Sequence, residues 1–494
     1  MTTKERQGGS LRGIIFWTRR LPRQNMTWGL AGASLVALHV VLALLSSEFA
    51  YERDLITQPI LTLIGLLLLA GAIYLLVIGR IPETPHRQGL LIGVLVLGAT
   101  LRVGLLFSTP MLEDDHYRYL WDGAVVTRGM NPYAFAPSQM AGGEGDIGSI
   151  PAPLRQLAAD SGVIVSRINY PSLRTIYPPV AQAAFALAHW IQPWSLFAWR
   201  LVLLAFDVTT LGLLILILRA LRLPLLWLTV YWWNPILTKE TFNSAHMDVI
   251  VLPFVLGAVL LMLRDRHVWA AGALGLAMGA KIWPIVLLPI LLRPILTNPK
   301  KLIPALALFG LLAGAMFLPV HAAGFDHRSG FVAYGESWEM NDALFMLILW
   351  GKQAFLQGMS IDPNHSQLFT RIIVAAIVVV WTAWLTRNQS DDPAGVWERC
   401  LLILAAVFLL SPTQFPWYYL WLLPFLVIRP RSSLLVLTAL LPLYYLRFYF
   451  AARDRVEIFD YGIVWLEYIP VWYLLLRELY ARRQRLTSLT EAVA

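Results

Sequence analysis

Long apolar runs joined by short charged loops set the pattern of this chain. The first three runs, near 28–46, 59–79 and 89–108, are each long enough to cross a hydrocarbon core as a helix rising 1.5 Å per residue. Further runs follow near 179–193, 196–218, 224–239, 247–263, 268–280, 282–292, 303–320, 369–386, 400–411, 416–428, 433–449 and 463–477. Lys4, Arg6, Arg12, Arg19, Arg20 and Arg23 precede the first run, and no small-residue cleavage site follows it closely. The N-terminus is therefore expected to be cytoplasmic and the first run an uncleaved anchor. With that start, Arg80 and Arg87 fall inside and 109–178 falls outside.

Loop charge then constrains the remaining count. Arg219 and Arg222, Arg264 and Arg266, Lys300 and Lys301, Arg429 and Arg431, and Arg482, Arg483 and Arg485 can all lie inside only if 179–193 does not cross fully. That segment is expected to be a partial or re-entrant helix entered through Pro178-Pro179, and the runs on either side of Lys281 an in-and-back pair. The expectation is an all-α polytopic membrane protein of about 12–14 crossings with both termini cytoplasmic. An amphipathic surface helix is expected within 321–368, which carries Asp326, Glu336, Glu339 and Asp342 before an apolar patch at 343–350. The chain contains no internal repeat, no inverted pair of halves and no separate soluble domain.

Composition narrows the class. Of 494 residues, 58% are hydrophobic and 14% charged, against roughly 25% charged in soluble proteins; mean hydropathy is +0.62. A disordered chain, a collagen and an ordinary cytosolic globule are excluded. The net charge of +9 belongs to cytoplasmic loops rather than to nucleic-acid binding. Cys400 is the only cysteine, which excludes an internal disulfide and a CxxC site. No P-loop, GxSxG or HExxH is present.

Ionisable residues at membrane depth are costly and mark function. The densest cluster is Glu113-Asp114-Asp115-His116-Tyr117-Arg118-Tyr119, at the start of the long polar segment 109–178, which also holds Asp122, Glu144, Asp146 and Asp160. Adjacent carboxylates raise one another's pKa values, so one of them can accept a proton if a cation offsets the rest. Residues 114–128 predict a short helix along the membrane. Tyr117, Leu120, Trp121, Ala124 and Val125 form its apolar side; Asp115, Arg118, Tyr119 and Asp122 share the other; Gly129 ends it, and Asn131-Pro132-Tyr133 turns the chain. Helix capping by Asp114 and Asp115 is the competing account. A second cluster, Lys239, Glu240, Asn243, His246 and Asp248, puts Lys239, Asn243 and His246 on one face if a helix continues; a solvated turn competes. Lys281, in Gly279-Ala280-Lys281-Ile282-Trp283-Pro284, is a lone cation for which snorkelling competes. Ser411–Tyr419 is an aromatic-rich turn, fitting an interfacial belt as well as a lipid or sugar platform. Together these clusters outline one outward-facing cavity able to bind an anion and a hydroxyl nucleophile.

The stretch from Asp114 to Gly123, the turn Gly129-Met130-Asn131-Pro132-Tyr133 and Ile176-Tyr177-Pro178-Pro179 resemble the first external loop of GT-C superfamily glycosyltransferases. The nearest resemblance is to bacterial polyprenol-phosphate-mannose-dependent mannosyltransferases, and the first mannosyltransferase of GPI-anchor assembly is also similar. Asn234-Pro235, His246-x-Asp248, Lys281-x-x-Pro284 and Pro416-Trp417-Tyr418 resemble later signatures, in short pieces across 90–430. In that family the Asp usually follows the first span; here it follows the third. Residues 1–80 thus look like a cytoplasmic N-terminus plus an added helix pair before a GT-C-like domain at 81–494, with 109–178 as catalytic loop and 321–368 as second external loop.

The resemblance implies inverting transfer of a sugar, with mannose the commonest donor, from a polyprenyl monophosphate to an acceptor hydroxyl on a glycolipid or glycan at the non-cytoplasmic face of a bacterial inner membrane. It makes Asp115 the catalytic base and Asp114 its support. Lys281, His246, Lys239 and Arg118 become the groups for the donor phosphate. Glu113, Tyr119, Asp122, Asn131, Tyr133, Tyr177, Asp248, Trp417 and Tyr418 become the groups for acceptor or sugar. No cofactor is expected, although three carboxylates could hold a divalent metal, and no nucleic acid is a partner. Rival classes are a flippase for a lipid-linked sugar and a non-catalytic subunit of a polysaccharide assembly complex.

Overall fold

The computed structural model describes residues 24–85, 87–141, 150–360, 366–387 and 392–491. The six basic residues from Lys4 to Arg23, together with Glu144 and Asp146, lie outside the described residues. The chain is 78% helical, and among the described residues no strand forms; one isolated bridge joins Met340 to Thr413. The principal helices are α1 (Gln24–Leu45), α2 (Ile60–Arg80), α3 (Gln88–Leu106), α4 (Asp115–Thr127), α5 (Ala152–Asp160), α6 (Pro179–Ile191), α7 (Leu196–Ala220), α8 (Val251–Leu263), α9 (His267–Ala280), α10 (Pro299–Ala323), α11 (Gly330–Ser337), α12 (Leu344–Gly358), α13 (Ser366–Thr386), α14 (Pro393–Leu410) and α15 (Val464–Glu491).

Eight helices among the described residues are long and apolar enough to cross a membrane, and nine if the bent pair Pro235–Asn243 and Met247–Leu263 is one span. The chain is an all-α, multi-pass integral membrane protein. The eight fall short of the 12–14 crossings expected from apolar runs. The difference lies where proline divides a run into pieces: α9 and Trp283–Ile295 are short apolar helices, and 416–428 breaks into Pro416–Trp421 and Leu423–Ile428. The partial helix expected after Pro178 is α6, thirteen residues long with Pro179 in its first turn, where a missing N–H costs nothing.

The chain divides into two compact units. The first comprises 1–109, 222–238 and 425–494, so the expected boundary at residue 80 falls inside it. Several of its buried polar groups are paired within the helix bundle. Tyr74 donates to the Val230 carbonyl at 2.7 Å, and His39 Nε2 meets Thr238 Oγ1 at 2.8 Å. Arg102 donates to the Gly98 and Trp232 carbonyls and lies 3.4 Å over the Trp232 ring. Such pairing is required where no water can replace a partner.

The second unit comprises 110–221 and 239–424. Here α9 packs between α8 and α10, and α4 packs on α6. The latter approach is close at Gly123, where a Cβ would collide with the Phe185 backbone. The helix predicted over 114–128 is present as α4, and Gly129 follows it at φ +69°, a conformation that favours glycine. Both sides of α4 are buried: Leu120, Trp121, Ala124 and Val125 on one, Arg118, Tyr119 and Asp122 on the other.

Candidate active site

The segment leading into α4 is held by its backbone. Met111 donates its N–H to Asn243 Oδ1 at 3.1 Å, its carbonyl accepts from Lys239 at 3.4 Å, and Leu112 sits at φ +67°. This sets the three carboxylates at the start of the helix. Asp114 occupies the N-cap position, but its side chain makes no capping hydrogen bond. Capping therefore does not account for the acidic pair.

Asn169 accounts for part of their arrangement instead. Its amide donates to Asp114 Oδ1 at 2.7 Å and to Asp115 Oδ1 at 2.8 Å, so one NH2 group bridges both carboxylates. The Tyr119 and Tyr177 hydroxyls each donate to Asp115 Oδ2 at 3.3 Å. Arg118, expected to meet the donor phosphate, is buried. It donates to the Asn169 and Tyr170 carbonyls and so pins the loop that carries Asn169.

The second cluster closes behind Asp115. A π-helical turn, Lys239–Asn243, is followed by Ala245 at φ +62°. No helix continues, so Lys239, Asn243 and His246 do not share a helix face as the sequence pattern predicts. The chain instead curls back, with the His246 N–H donating to the Glu240 carbonyl at 2.9 Å. His246 Nδ1 stands 3.6 Å from Asp115 Oδ2 and its Nε2 stands 3.6 Å from Glu240 Oε2. Glu240 Oε1 lies 3.5 Å from Lys239 Nζ, which also donates to Ser244 Oγ at 2.8 Å. His246, Glu240 and Lys239 are fully buried, whereas the Asp115 side chain is 22% exposed. The result is a row of alternating charge types, carboxylate, imidazole, carboxylate, ammonium, with only its first member open. The expectation that Lys239 and His246 meet a donor phosphate does not fit this burial: their nitrogens face protein groups.

Lys281 stands apart from that row. It sits at the C-cap of α9, its Nζ 3.1 Å from Asp248 Oδ1 and its side chain 16% exposed. Trp421 donates to the same Asp248 oxygen at 2.8 Å. The ammonium lies 4.3 Å from the Tyr418 ring centroid and 5.5 Å from that of Trp421. Trp417 stacks flat against His246 at 3.7 Å. The Tyr418 hydroxyl is 3.2 Å from that of Tyr334. Thus Trp417 and Tyr418 support His246 and Lys281, as aromatic faces do for cations.

Other residues expected to meet acceptor or sugar hold the loop together. Asp122 is buried and accepts from Gln182 at 3.0 Å; the Tyr133 hydroxyl donates to the Tyr177 carbonyl at 2.7 Å; Asn131 donates to the Pro319 carbonyl at 2.8 Å. Glu113 Oε1 is buried without a hydrogen-bond partner.

The electrostatics separate the three acids. Burial drives the Glu113 carboxyl well above the usual range, with the neighbouring carboxylates adding to it and Lys239 opposing. Burial and the Asp115 charge push Asp114 up to about 6, against the Asn169 hydrogen bond. Burial would also raise Asp115, but His246, Asn169 and Lys281 outweigh it and hold this carboxyl below the ordinary range. The Tyr119 and Tyr177 hydroxyls are driven up by burial and remain donors. Asp115 is thus the permanently charged member and Asp114 the titrating one. Among the described residues no group of three His, Cys, Asp or Glu side chains is arranged to hold a metal ion.

Asn169 and Glu240 carry much of this geometry without belonging to any motif. Asn169 gave no signal beyond being an amide in the long polar loop, while Glu240 lay inside the second cluster with no assigned part.

Residues 175–412, just under half of the chain, match the family model of glycosyltransferase family 87, a GT-C-type family. The matched segment contains Tyr177, Lys239, Glu240, His246, Asp248 and Lys281; Asp114, Asp115 and Asn169 precede it. No curated protein and no solved structure matches the chain. The family match supports a glycosyltransferase, and the helices place it in a membrane.

Proposed function

We propose that this chain is an inverting glycosyltransferase that moves a sugar, mannose in the first instance, from a polyprenyl monophosphate to a hydroxyl of a glycolipid or glycan. In this reading it is an enzyme of the bacterial inner membrane and of cell-envelope glycolipid synthesis, with its site on the non-cytoplasmic face and both termini in the cytoplasm. The observation that carries it is the partly open Asp115 carboxylate, held ionised at the mouth of a buried charged row.

The chemistry follows from where charge is fixed. The acceptor hydroxyl gives its proton to Asp115 while its oxygen bonds to the anomeric carbon. The bond from that carbon to the phosphate oxygen breaks, and the electron pair leaves on the lipid phosphate. Lys281 meets the charge growing on that phosphate. Asp114, ionised above about pH 6, orients the acceptor hydroxyl through its second oxygen. His246 faces Asp115 rather than the donor, which leaves Lys281 as the donor cation. A sugar delivered on a lipid requires no nucleotide site, consistent with the absence of a P-loop.

The test is donor choice. Purified protein in lipid nanodiscs is incubated with radiolabelled polyprenyl-phosphate mannose, glucose or arabinose, or with nucleotide sugars, and a membrane glycolipid extract as acceptor. Transfer from a polyprenyl-phosphate sugar is expected. Transfer from nucleotide sugars alone overturns the donor class.

A further inference from the structure

The buried row behind Asp115 has a member that the transfer reaction never touches. Glu240 is fully enclosed, adjacent to Lys239 on the π-helical turn, and its two carboxylate oxygens face different side chains: Oε1 toward Lys239 Nζ at 3.5 Å, Oε2 toward His246 Nε2 at 3.6 Å. Neutralising Lys239 requires only one of these contacts. The other comes from a specific fold of the backbone. The turn at Ala245, in the left-handed region, brings the His246 N–H onto the Glu240 carbonyl, so the same residue holds His246 by main chain and by side chain. Trp199 and Arg200 lock that turn by donating to the Ala245 and Asn243 carbonyls. Trp417 closes the face of the imidazole, so the ring has one carboxylate near each nitrogen and an indole on its face.

We infer that Glu240 is a positioning residue that acts through His246, holding its imidazole against Asp115 and so fixing the direction of the carboxylate that receives the acceptor proton. The inference rests on the glycosyltransferase reading above. The contacts of 3.6 Å on both sides of the ring are longer than hydrogen bonds, as catalytic contacts often are before substrate arrives. The charged and titratable groups around it are Asp114, Asp115 and His116 at the start of α4 and Glu240 and Lys239 on the turn, with Lys281 acting on Asp115 from the end of α9.

The test uses Glu240→Gln in the full-length protein in nanodiscs, which keeps the shape and removes the charge. Expected are a fall in kcat of about tenfold to hundredfold and a KM for donor and acceptor within about twofold. In a His246→Gln background the same change has no further effect, because the residue it acts through is gone. If Glu240→Gln does not fold, Lys239→Met combined with Glu240→Gln removes both buried charges and carries the same prediction for kcat and KM. An unchanged kcat, or effects of Glu240→Gln and His246→Gln that simply multiply, overturns the inference and leaves Glu240 as the counter-ion of Lys239. Failure of the underlying reading looks different: the unmodified protein then transfers no sugar from any polyprenyl phosphate.

Discussion

Replacing Asn169 by leucine removes the single amide that bridges Asp114 and Asp115 and keeps nearly the same side-chain shape. Two hydrogen bonds of 2.7 and 2.8 Å to carboxylate oxygens are lost. A hydrogen bond to a charged group contributes about 1.5–3 kcal/mol, and about 1.4 kcal/mol corresponds to one pKa unit. Because the amide favours the ionised form, its loss raises the Asp114 value from about 6 by about one to two units. The ionised fraction at pH 7 then falls from about 0.9 to between about 0.5 and 0.1. Asp115 remains charged, since His246 and Lys281 still oppose its burial. Transfer at pH 7 is expected to drop about twofold to tenfold and to recover in alkaline buffer, with the acid limb displaced upward by about one to two units. The assay is initial rate of labelled-sugar transfer across pH 5.5–9.5 at saturating donor. A limb that stays near pH 6 while the rate falls equally at every pH refutes the reasoning and reduces Asn169 to a loop anchor.

Two further outcomes follow from the same electrostatics. Asp114→Asn should stabilise the protein while impairing transfer: its folded value of about 6 exceeds the ordinary 3.8, so stability falls as pH rises through that window, and above it the ionised group costs at most about 3 kcal/mol. Thermal unfolding in detergent should show a higher Tm for the variant at pH 7.5 and no difference at pH 4; an unchanged Tm at pH 7.5 contradicts this. Lys281→Gln leaves Asp248 with only the Trp421 indole of its two polar partners and should lower kcat about 10²–10³-fold, with Lys281→Arg recovering part; equal kcat with donor varied to saturation removes Lys281 from the site.

Much of the second unit was legible because its signals are local. Three adjacent acids before an amphipathic stretch closed by Gly129 defined α4, and Pro178-Pro179 defined the entry to α6. The four polar clusters around 114, 240, 281 and 415 were each visible as polar or aromatic groups among apolar runs. Their pairing was not. Asp115 meets Asn169 and His246 across 54 and 131 positions, and no periodicity spans such distances. The part assigned to Lys239 failed for a backbone reason, since a π-helical turn and a left-handed Ala245 replace the helix that would have aligned it with His246. The apolar runs outnumber the long unbroken helices for a related reason: runs measure hydrophobicity, and prolines such as Pro284, Pro289 and Pro416 divide them into shorter helical pieces.

The claim on which the rest depends is that Asp115 receives the acceptor proton. Asp115→Asn keeps the Asn169, Tyr119 and Tyr177 neighbourhood and removes only the charge and the basic oxygen. Single-turnover transfer from polyprenyl-phosphate mannose, measured on variant and parent at equal donor occupancy, should be slower by at least about 10²–10⁴-fold in the variant. Equal single-turnover rates would contradict the account.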